Sequence, residues 1–369
     1  MIPLVNVLIG TRGQFVKMAP VLMELDRRNV PYRLINSGQH TASTGEMARV
    51  FGVRHGDVFL TRLAADMTSV HHALLWFLIC CVNGVLLDRA KKDCSARALV
   101  VHGDTLSTLA GCLLSLFWGQ RLVHIESGLT TGMLWTPFPE EIIRRICVAR
   151  AAVLYAPNEW AASNCRKRRA RVTVVCTGAN TVLQAVRFAR ERTGATEYPG
   201  PYGVVTLHRN ETFYSRTKAA AAIEALTGIG AEGYKLMFVM HKLTQRRLKK
   251  YGLLDRLTHH GAIEILGYQR YDEFMAMVSR ASFVITDGGG LQEETYYLDV
   301  PCLVLRTKTE RPEGLDSSAM MSGTDGEPVA RFMKTLGTRR HGRDFSLLYP
   351  ATTIVDHLLA VFPKRAATA

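Results

Sequence analysis

Four polar clusters hold the residue types from which proton transfer and phosphate binding are built. They are Gly10-Thr-Arg-Gly-Gln-Phe-Val-Lys17, His102-Gly-Asp-Thr105 with His124-Ile-Glu-Ser-Gly128, Pro139-Glu-Glu141, and Thr286-Asp-Gly-Gly-Gly-Leu-Gln-Glu-Glu294. Asp104, Glu126 and Glu140 would supply separate proton-transfer groups in one cleft, because one acid cannot serve both faces of a carbon at once. Arg12 can hold a phosphate with its guanidinium fork, and Lys17 offers a point charge nearby. His208, in Thr206-Leu-His-Arg209, can donate to a diphosphate oxygen. Gly288, Gly289 and Gly290 open a helix and allow backbone N–H groups to approach a phosphate closely. Glu294, four residues further on, is placed to meet a ribose instead.

Taken singly, most of these residues have ordinary explanations. Asp104 can cap a helix, Glu140 and Glu141 can compensate a helix dipole, Lys17 can be a solvated helix residue, and His208 a structural histidine. Glu126 is harder to explain this way: it interrupts the apolar strand end Leu122-Val-His-Ile-Glu126, and burying a carboxylate without a partner is costly. The glycines do not follow the spacing of a dinucleotide fingerprint or a P-loop, which argues against NAD and against ATP hydrolysis.

The elements that must position these groups alternate regularly. Strands at Leu4–Ile9, Tyr32–Asn36, Ala98–Val101, Arg121–Ile125, Val153–Ala156 and Val172–Cys176 are interleaved with helices at Phe15–Arg28, Leu106–Phe117 and Ile142–Ala151. That alternation predicts a doubly wound parallel sheet. The Gly- and Pro-rich segment 190–203 reads as a boundary. A second series follows, with strands at Gly203–Leu207, Lys235–Met240, Ala262–Leu266, Phe283–Thr286 and Pro301–Leu305 and helices at Ala219–Leu226 and Tyr271–Arg280. The predicted organisation is an N-terminal α/β domain over 1–185, a C-terminal nucleotide-binding α/β domain over 200–345, and a helix and tail over 346–369. Most clusters stand where an apolar run stops, the end at which parallel sheets present ligand sites.

At 369 residues and 47% hydrophobic content, the chain can form two cores. The net charge of +14 suits an anionic substrate. The basic runs Arg166–Arg169, Arg246–Lys250 and Arg339-Arg340 lack interleaved aromatics, so they read as solvated helix faces and no nucleic acid is expected. Eight scattered cysteines with no zinc spacing suggest a reducing, cytoplasmic setting and no metal. The Ala73–Leu87 stretch is too short and interrupted for stable membrane insertion; it predicts a mostly buried helix, or a helix at an interface.

In these motifs the chain resembles the non-hydrolysing UDP-N-acetylglucosamine 2-epimerase family. The resemblance rests on Gly10-Thr-Arg with Lys17-Met-Ala-Pro20, Ser37-Gly-Gln-His40, Gly103-Asp-Thr105, His124-Ile-Glu-Ser-Gly-Leu129, Pro137-Phe-Pro-Glu-Glu141 with Arg144, Thr177-Gly178 with Asn180-Thr181, His208-Arg209 with Glu211, Asp287 to Glu294, and Thr309-Glu-Arg-Pro-Glu313. It implies a glycosyltransferase-B type fold, with two facing Rossmann-like domains around an interdomain cleft. It also implies a cytoplasmic homodimer, a UDP-sugar substrate, and a reaction that needs no cofactor or metal. That reaction removes the C2 proton, eliminates UDP to give 2-acetamidoglucal, and re-adds UDP as a proton returns to the other face. The resemblance places Asp104, Glu126, Glu140 and His208 in catalysis. It places Arg12, Lys17, Gln39, His40, Arg144, His241, Gly288, Gly289, Gly290, Glu294 and Arg311 at substrate. Base and acid stay unassigned among the three carboxylates. The chain departs from the usual pattern at Gly13-Gln14 (commonly Pro-Glu), Thr130 (commonly arginine) and Gly288 (commonly serine). A hydrolytic epimerase, a sugar transferase and a non-catalytic UDP-sugar-binding protein are the alternatives.

Overall fold

The computed structural model describes residues 4–61, 70–90, 96–135, 137–192, 200–209, 212–213, 215–315, 317–322 and 326–363. Glu211 and residues 193–199 of the predicted boundary lie outside the described residues. The chain divides into two compact units, Met1–Ala185 with Leu347–Ala369, and Val186–Ser346.

In the first unit the order is β1 (Val5–Ile9), α1 (Arg12–Arg27), β2 (Tyr32–Asn36), α2 (Thr41–Phe51), β3 (Val58–Phe59), α3 (Val70–Ala90), β4 (Ala98–His102), α4 (Leu106–Phe117), β5 (Arg121–Ile125), α5 (Glu140–Arg150), β6 (Val153–Ala156), α6 (Glu159–Arg168), β7 (Thr173–Cys176) and α7 (Val182–Arg192), the last running across the division. The strands form one parallel sheet in the order β3-β2-β1-β4-β5-β6-β7. β1 and β4 are buried along their whole length, as strands covered by helices on both faces must be. The topology reverses between β1 and β4, so their carboxyl ends flank the crevice that an open α/β sheet offers a ligand.

The second unit repeats the plan with β8 (Tyr202–Thr206), α8 (Arg216–Ala231), β9 (Lys235–Val239), α9 (Lys242–Tyr251), α10 (Leu254–Thr258), β10 (Ile263–Leu266), α11 (Tyr271–Arg280), β11 (Phe283–Thr286), α12 (Gly289–Tyr297), β12 (Cys302–Val304), β13 (Ala319–Met321) and α13 (Gly326–Lys334). Its parallel sheet runs β10-β9-β8-β11-β12-β13, with the reversal between β8 and β11. The last helix, α14 (Pro350–Val361), returns to the first unit and packs on α1.

One expectation changes and another narrows. Asp104 is not the cap of α4: Thr105 takes that role, its hydroxyl accepting the Thr108 N–H at 3.3 Å. The apolar stretch within α3 is buried on one face only. Trp76 and Cys80 enter the core, whereas Leu74, Leu75, Leu78, Val82 and Leu86 are 47–62% exposed. Among the described residues no helix is long and apolar enough to cross a membrane. The basic runs near 166 and 249 lie in the last turns of α6 and α9, where cations complement the helix dipole.

Candidate functional site

The first unit gathers its polar groups at the carboxyl ends of β1, β4 and β5. Gly10 ends β1 with no room for a side chain, since an added Cβ would fall 2.0 Å from Ser37 Oγ and 2.1 Å from Ser107 Oγ. That close approach lets the loops after β1, β2 and β4 meet. The His40 N–H donates to the Gly10 carbonyl at 2.9 Å, and Ser107 Oγ donates to Gln39 Oε1 at 2.5 Å. Gln14 also ties these loops together. Its Oε1 accepts the Gly10 N–H at 3.0 Å, while its Nε2 donates to the His102 carbonyl at 2.7 Å and to Thr108 Oγ1 at 2.9 Å. The Gly13-Gln14 departure therefore brings a buried amide that clamps β1 to β4.

Glu126 stands just beyond β5 with φ +65°, in the left-handed region that non-glycine residues rarely adopt. Such a conformation costs about 1–3 kcal/mol and persists only where its surroundings impose it. The surroundings here are specific. The Lys17 ammonium and the Asn180 amide both donate to Glu126 Oε2, and His102 Nε2 lies 3.9 Å from the same oxygen. Lys17, Asn180 and Glu126 are all buried, so Lys17 is not a solvated helix residue. His124 fixes the turn from below. Its Nε2 faces the Gly103 carbonyl at 2.7 Å and must donate, which leaves Nδ1 to accept from Ser127 Oγ at 2.8 Å. Burial lowers the His124 pKa and keeps that ring neutral.

Asp104, on the turn after β4, is paired with Arg144 of α5 at 2.5 Å. Arg144 also faces Glu141, at 3.5 Å. Glu140 and Glu141 share the first turn of α5 but differ in surroundings: Glu141 is fully buried, while Glu140 is part-exposed and has its Oε2 buried with no hydrogen-bond partner among the described residues. Arg12 opens α1, and Thr11 caps it.

In the second unit the centre is Asp287, fully buried at the end of β11. Its carboxylate accepts the backbone N–H groups of His208 at 3.0 Å and Arg209 at 2.8 Å, and the Thr212 hydroxyl at 2.8 Å. His208 Nδ1 lies 3.2 Å away. Burial alone would raise the Asp287 pKa, but His208 and these donors outweigh it and hold the carboxyl below its ordinary value. The result is a fixed loop after β8 that presents His208, half exposed, beside the glycines opening α12. His241, which caps α9, has its pKa lowered by burial and by the neighbouring His208 and Lys242. Glu294 Oε1 accepts from the Tyr271 hydroxyl at 3.0 Å. Arg311 is buried and pairs with Glu293 at 2.9 Å. Among the described residues no group of three or more His, Cys, Asp or Glu side chains could hold a metal ion.

Sequence comparison fits this geometry. The family model for UDP-N-acetylglucosamine 2-epimerase matches residues 23–345. The chain belongs to that family. Among its 2-epimerase relatives, the enzyme of Methanococcus maripaludis is 29% identical over 91% of this chain and 93% of its own. That of Bacillus subtilis is 27% identical over 90% and 87%. The fold matches that of Methanocaldococcus jannaschii UDP-GlcNAc 2-epimerase, crystallised in complex with UDP-GlcNAc and UDP, with a TM-score of 0.83 at 23% identity over 96% of this chain and 99% of that one. The Neisseria meningitidis UDP-GlcNAc 2-epimerase bound to UDP-GlcNAc gives 0.82, also at 23% identity, with the same coverage. The two parallel α/β units are accordingly of glycosyltransferase-B-like architecture.

Within this epimerase fold, Lys17 meets Glu126 and Asp104 meets Arg144, while Gln39 and His40 are held at the ends of β1 and β4. Several partners lay outside the residues singled out for roles, Asn180, Glu141, Tyr271 and Thr212 among them. Asn180 follows the strand-ending Thr177-Gly178, a signal that could have found it. Glu141 reads from sequence as a dipole partner, and Tyr271 and Thr212 carry no local signal.

Proposed function

We propose that this chain interconverts UDP-N-acetylglucosamine and UDP-N-acetylmannosamine without net hydrolysis. The observation that carries the proposal is Glu126, a buried carboxylate in a left-handed backbone position, hydrogen-bonded by Lys17 and Asn180. In this reading the substrate is a UDP-sugar. The sugar faces Asp104, Glu126 and Glu140 of the first unit, with Gln39, His40 and Arg144 around it. The nucleotide faces Gly288, Gly289, Gly290, His208, His241, Glu294 and Arg311 of the second.

A carboxylate takes the C2 proton, the C2 electron pair forms the C1–C2 double bond, and the C1–O bond breaks with its electrons leaving on UDP. His208 and Arg12 steady the departing diphosphate by preorganised electrostatics. Reprotonation of 2-acetamidoglucal at C2 from the other face, with return of UDP to C1, completes the exchange. Two positioned carboxyl groups suit this task, since each face needs its own proton carrier. The same reading includes a cytoplasmic homodimer, for which the exposed apolar stripe of α3 offers a face.

Incubation of the protein with UDP-N-acetylglucosamine tests the reaction. UDP-N-acetylmannosamine should build up to an equilibrium ratio while free UDP stays at trace level. Stoichiometric release of UDP and free sugar would replace this reading with hydrolysis.

A further inference from the structure

We propose that Glu141 is a positioning residue, acting with Thr130, that sets Arg144 against Asp104. The inference rests on the reading of Asp104 as part of the proton-transfer machinery. Its basis is the number of donors converging on one fully buried carboxylate. Thr130 Oγ1 donates to Glu141 Oε1 at 2.5 Å, Arg145 Nε donates to the same oxygen at 3.3 Å, and Arg168 Nη2 lies 3.9 Å from it. The other oxygen, Oε2, faces Arg144 Nη1 at 3.5 Å. Arg144 is buried too, and its Nη2 reaches Asp104 at 2.5 Å. Arg144 therefore lies between two carboxylates, one rigid and one partly exposed at the strand ends.

Rigidity comes from the donors on Glu141. A fully buried carboxylate held by a hydroxyl, by the buried Arg144 and by the partly exposed Arg145 has little freedom to move, since displacement leaves its charge unpaired away from water. Arg144, with a planar fork, transmits that fixed position to Asp104. Thr130 adds a second restraint: its hydroxyl oxygen also accepts the Gly132 N–H at 3.0 Å, while Arg145 Nη2 donates to the Gly132 carbonyl at 3.4 Å. The loop after Leu129 is thereby bound to the first turn of α5, where Glu140 stands. Thr130, which replaces an arginine in the resemblance, thus has a role of its own. It supplies a neutral donor to a carboxylate already faced by arginines, where another fixed cation would compete with Arg144.

The test uses Thr130→Val, which removes the hydroxyl at nearly constant shape, Thr130→Ser, which restores it, and Glu141→Gln, which removes the charge. We expect kcat for UDP-N-acetylglucosamine to fall about 10-fold or more in Glu141→Gln and about 3-fold or more in Thr130→Val, with KM changed by less than about 2-fold and Thr130→Ser close to wild type. Crystal structures of the variants give a readout independent of turnover, with Arg144 moved beyond ion-pair distance of Asp104 in Glu141→Gln. An Arg144–Asp104 pair unchanged in Glu141→Gln and Thr130→Val would overturn the proposal, whatever the activity. So would loss of kcat in strict proportion to loss of folded protein. A wild-type protein that does not turn over UDP-N-acetylglucosamine would instead overturn the reading of Asp104, and the crystallographic readout would still decide whether Glu141 positions Arg144.

Discussion

The Lys17 ammonium is paired with the Glu126 carboxylate, although 109 residues separate them in sequence. Lys17 comes from the second turn of α1 and Glu126 from the turn after β5. Both are buried, so the pair is made where water cannot screen it. It offsets the cost of placing a carboxylate at a strand end, and helps hold Glu126 in the backbone conformation it would otherwise leave.

Removing one member of a buried ion pair typically costs about 3–5 kcal/mol, because the other charge is stranded. Lys17→Met should therefore lose about that much stability in urea unfolding and most of its turnover. The Lys17→Met, Glu126→Gln double variant should regain most of the stability and none of the activity. A single variant as stable as wild type would mean that the pair is solvated in solution.

The Asp287 carboxylate predicts a pH dependence. Its folded-state pKa is below the ordinary 3.8, so its contribution to stability is complete above that value and is lost as pH falls through the lowered one. Asp287→Asn should cost about 1–3 kcal/mol near neutrality, as expected for a buried acceptor that loses its donors. Urea midpoints of wild type and variant should converge at acid pH. A gap that stays constant with pH would contradict the assignment.

How much of this was legible in the sequence depended on the range of the signal. Asp104, Glu126 and His208 end apolar strands, and the Gly288–Gly290 run opens a helix, so local pattern was enough to find them. The two-sheet plan followed from the same alternation. Thr130 read as a lost charge, yet in the fold it donates to a carboxylate eleven residues away. Its role depends on how α5 and α6 pack, which no local spacing encodes. The α3 stripe left two readings open for a related reason: fifteen residues with almost no polar group suit a mostly buried helix or one at an interface. The fold narrows them, since among the described residues Trp76 and Cys80 enter the core while Leu74, Leu75, Leu78, Val82 and Leu86 stay exposed.

Two neighbouring glycines separate steric need from phosphate approach. A Cβ on Gly289 would stand 3.0 Å from Glu310 Oε1 and 3.3 Å from Arg311 Cγ, whereas one on Gly290 would meet nothing within 4 Å. Gly290→Ala should keep or raise the unfolding midpoint, because alanine suits a helix better than glycine by about 1 kcal/mol. It should still weaken UDP binding about 10-fold in calorimetry if the diphosphate approaches this turn, a loss of about 1.4 kcal/mol. Gly289→Ala should lose stability as well. Unchanged UDP affinity in Gly290→Ala would move the phosphate site elsewhere.

The exposed apolar face of α3 predicts association of two copies. Leu78 and Val82 lie one turn apart on it, 60% and 47% exposed. Sedimentation should show a dimer for the wild-type chain and a folded monomer for the Leu78→Lys, Val82→Lys variant. A wild-type monomer at micromolar concentration would remove the dimer from this account.

Proton exchange at the sugar C2 tests the central claim most directly. In deuterated water, with UDP-N-acetylglucosamine as substrate, NMR should show deuterium entering C2 as UDP-N-acetylmannosamine appears, with both signals lost in Glu126→Gln. Epimer formed with its C2 proton retained, or no exchange at C2 in the wild-type protein, would contradict it.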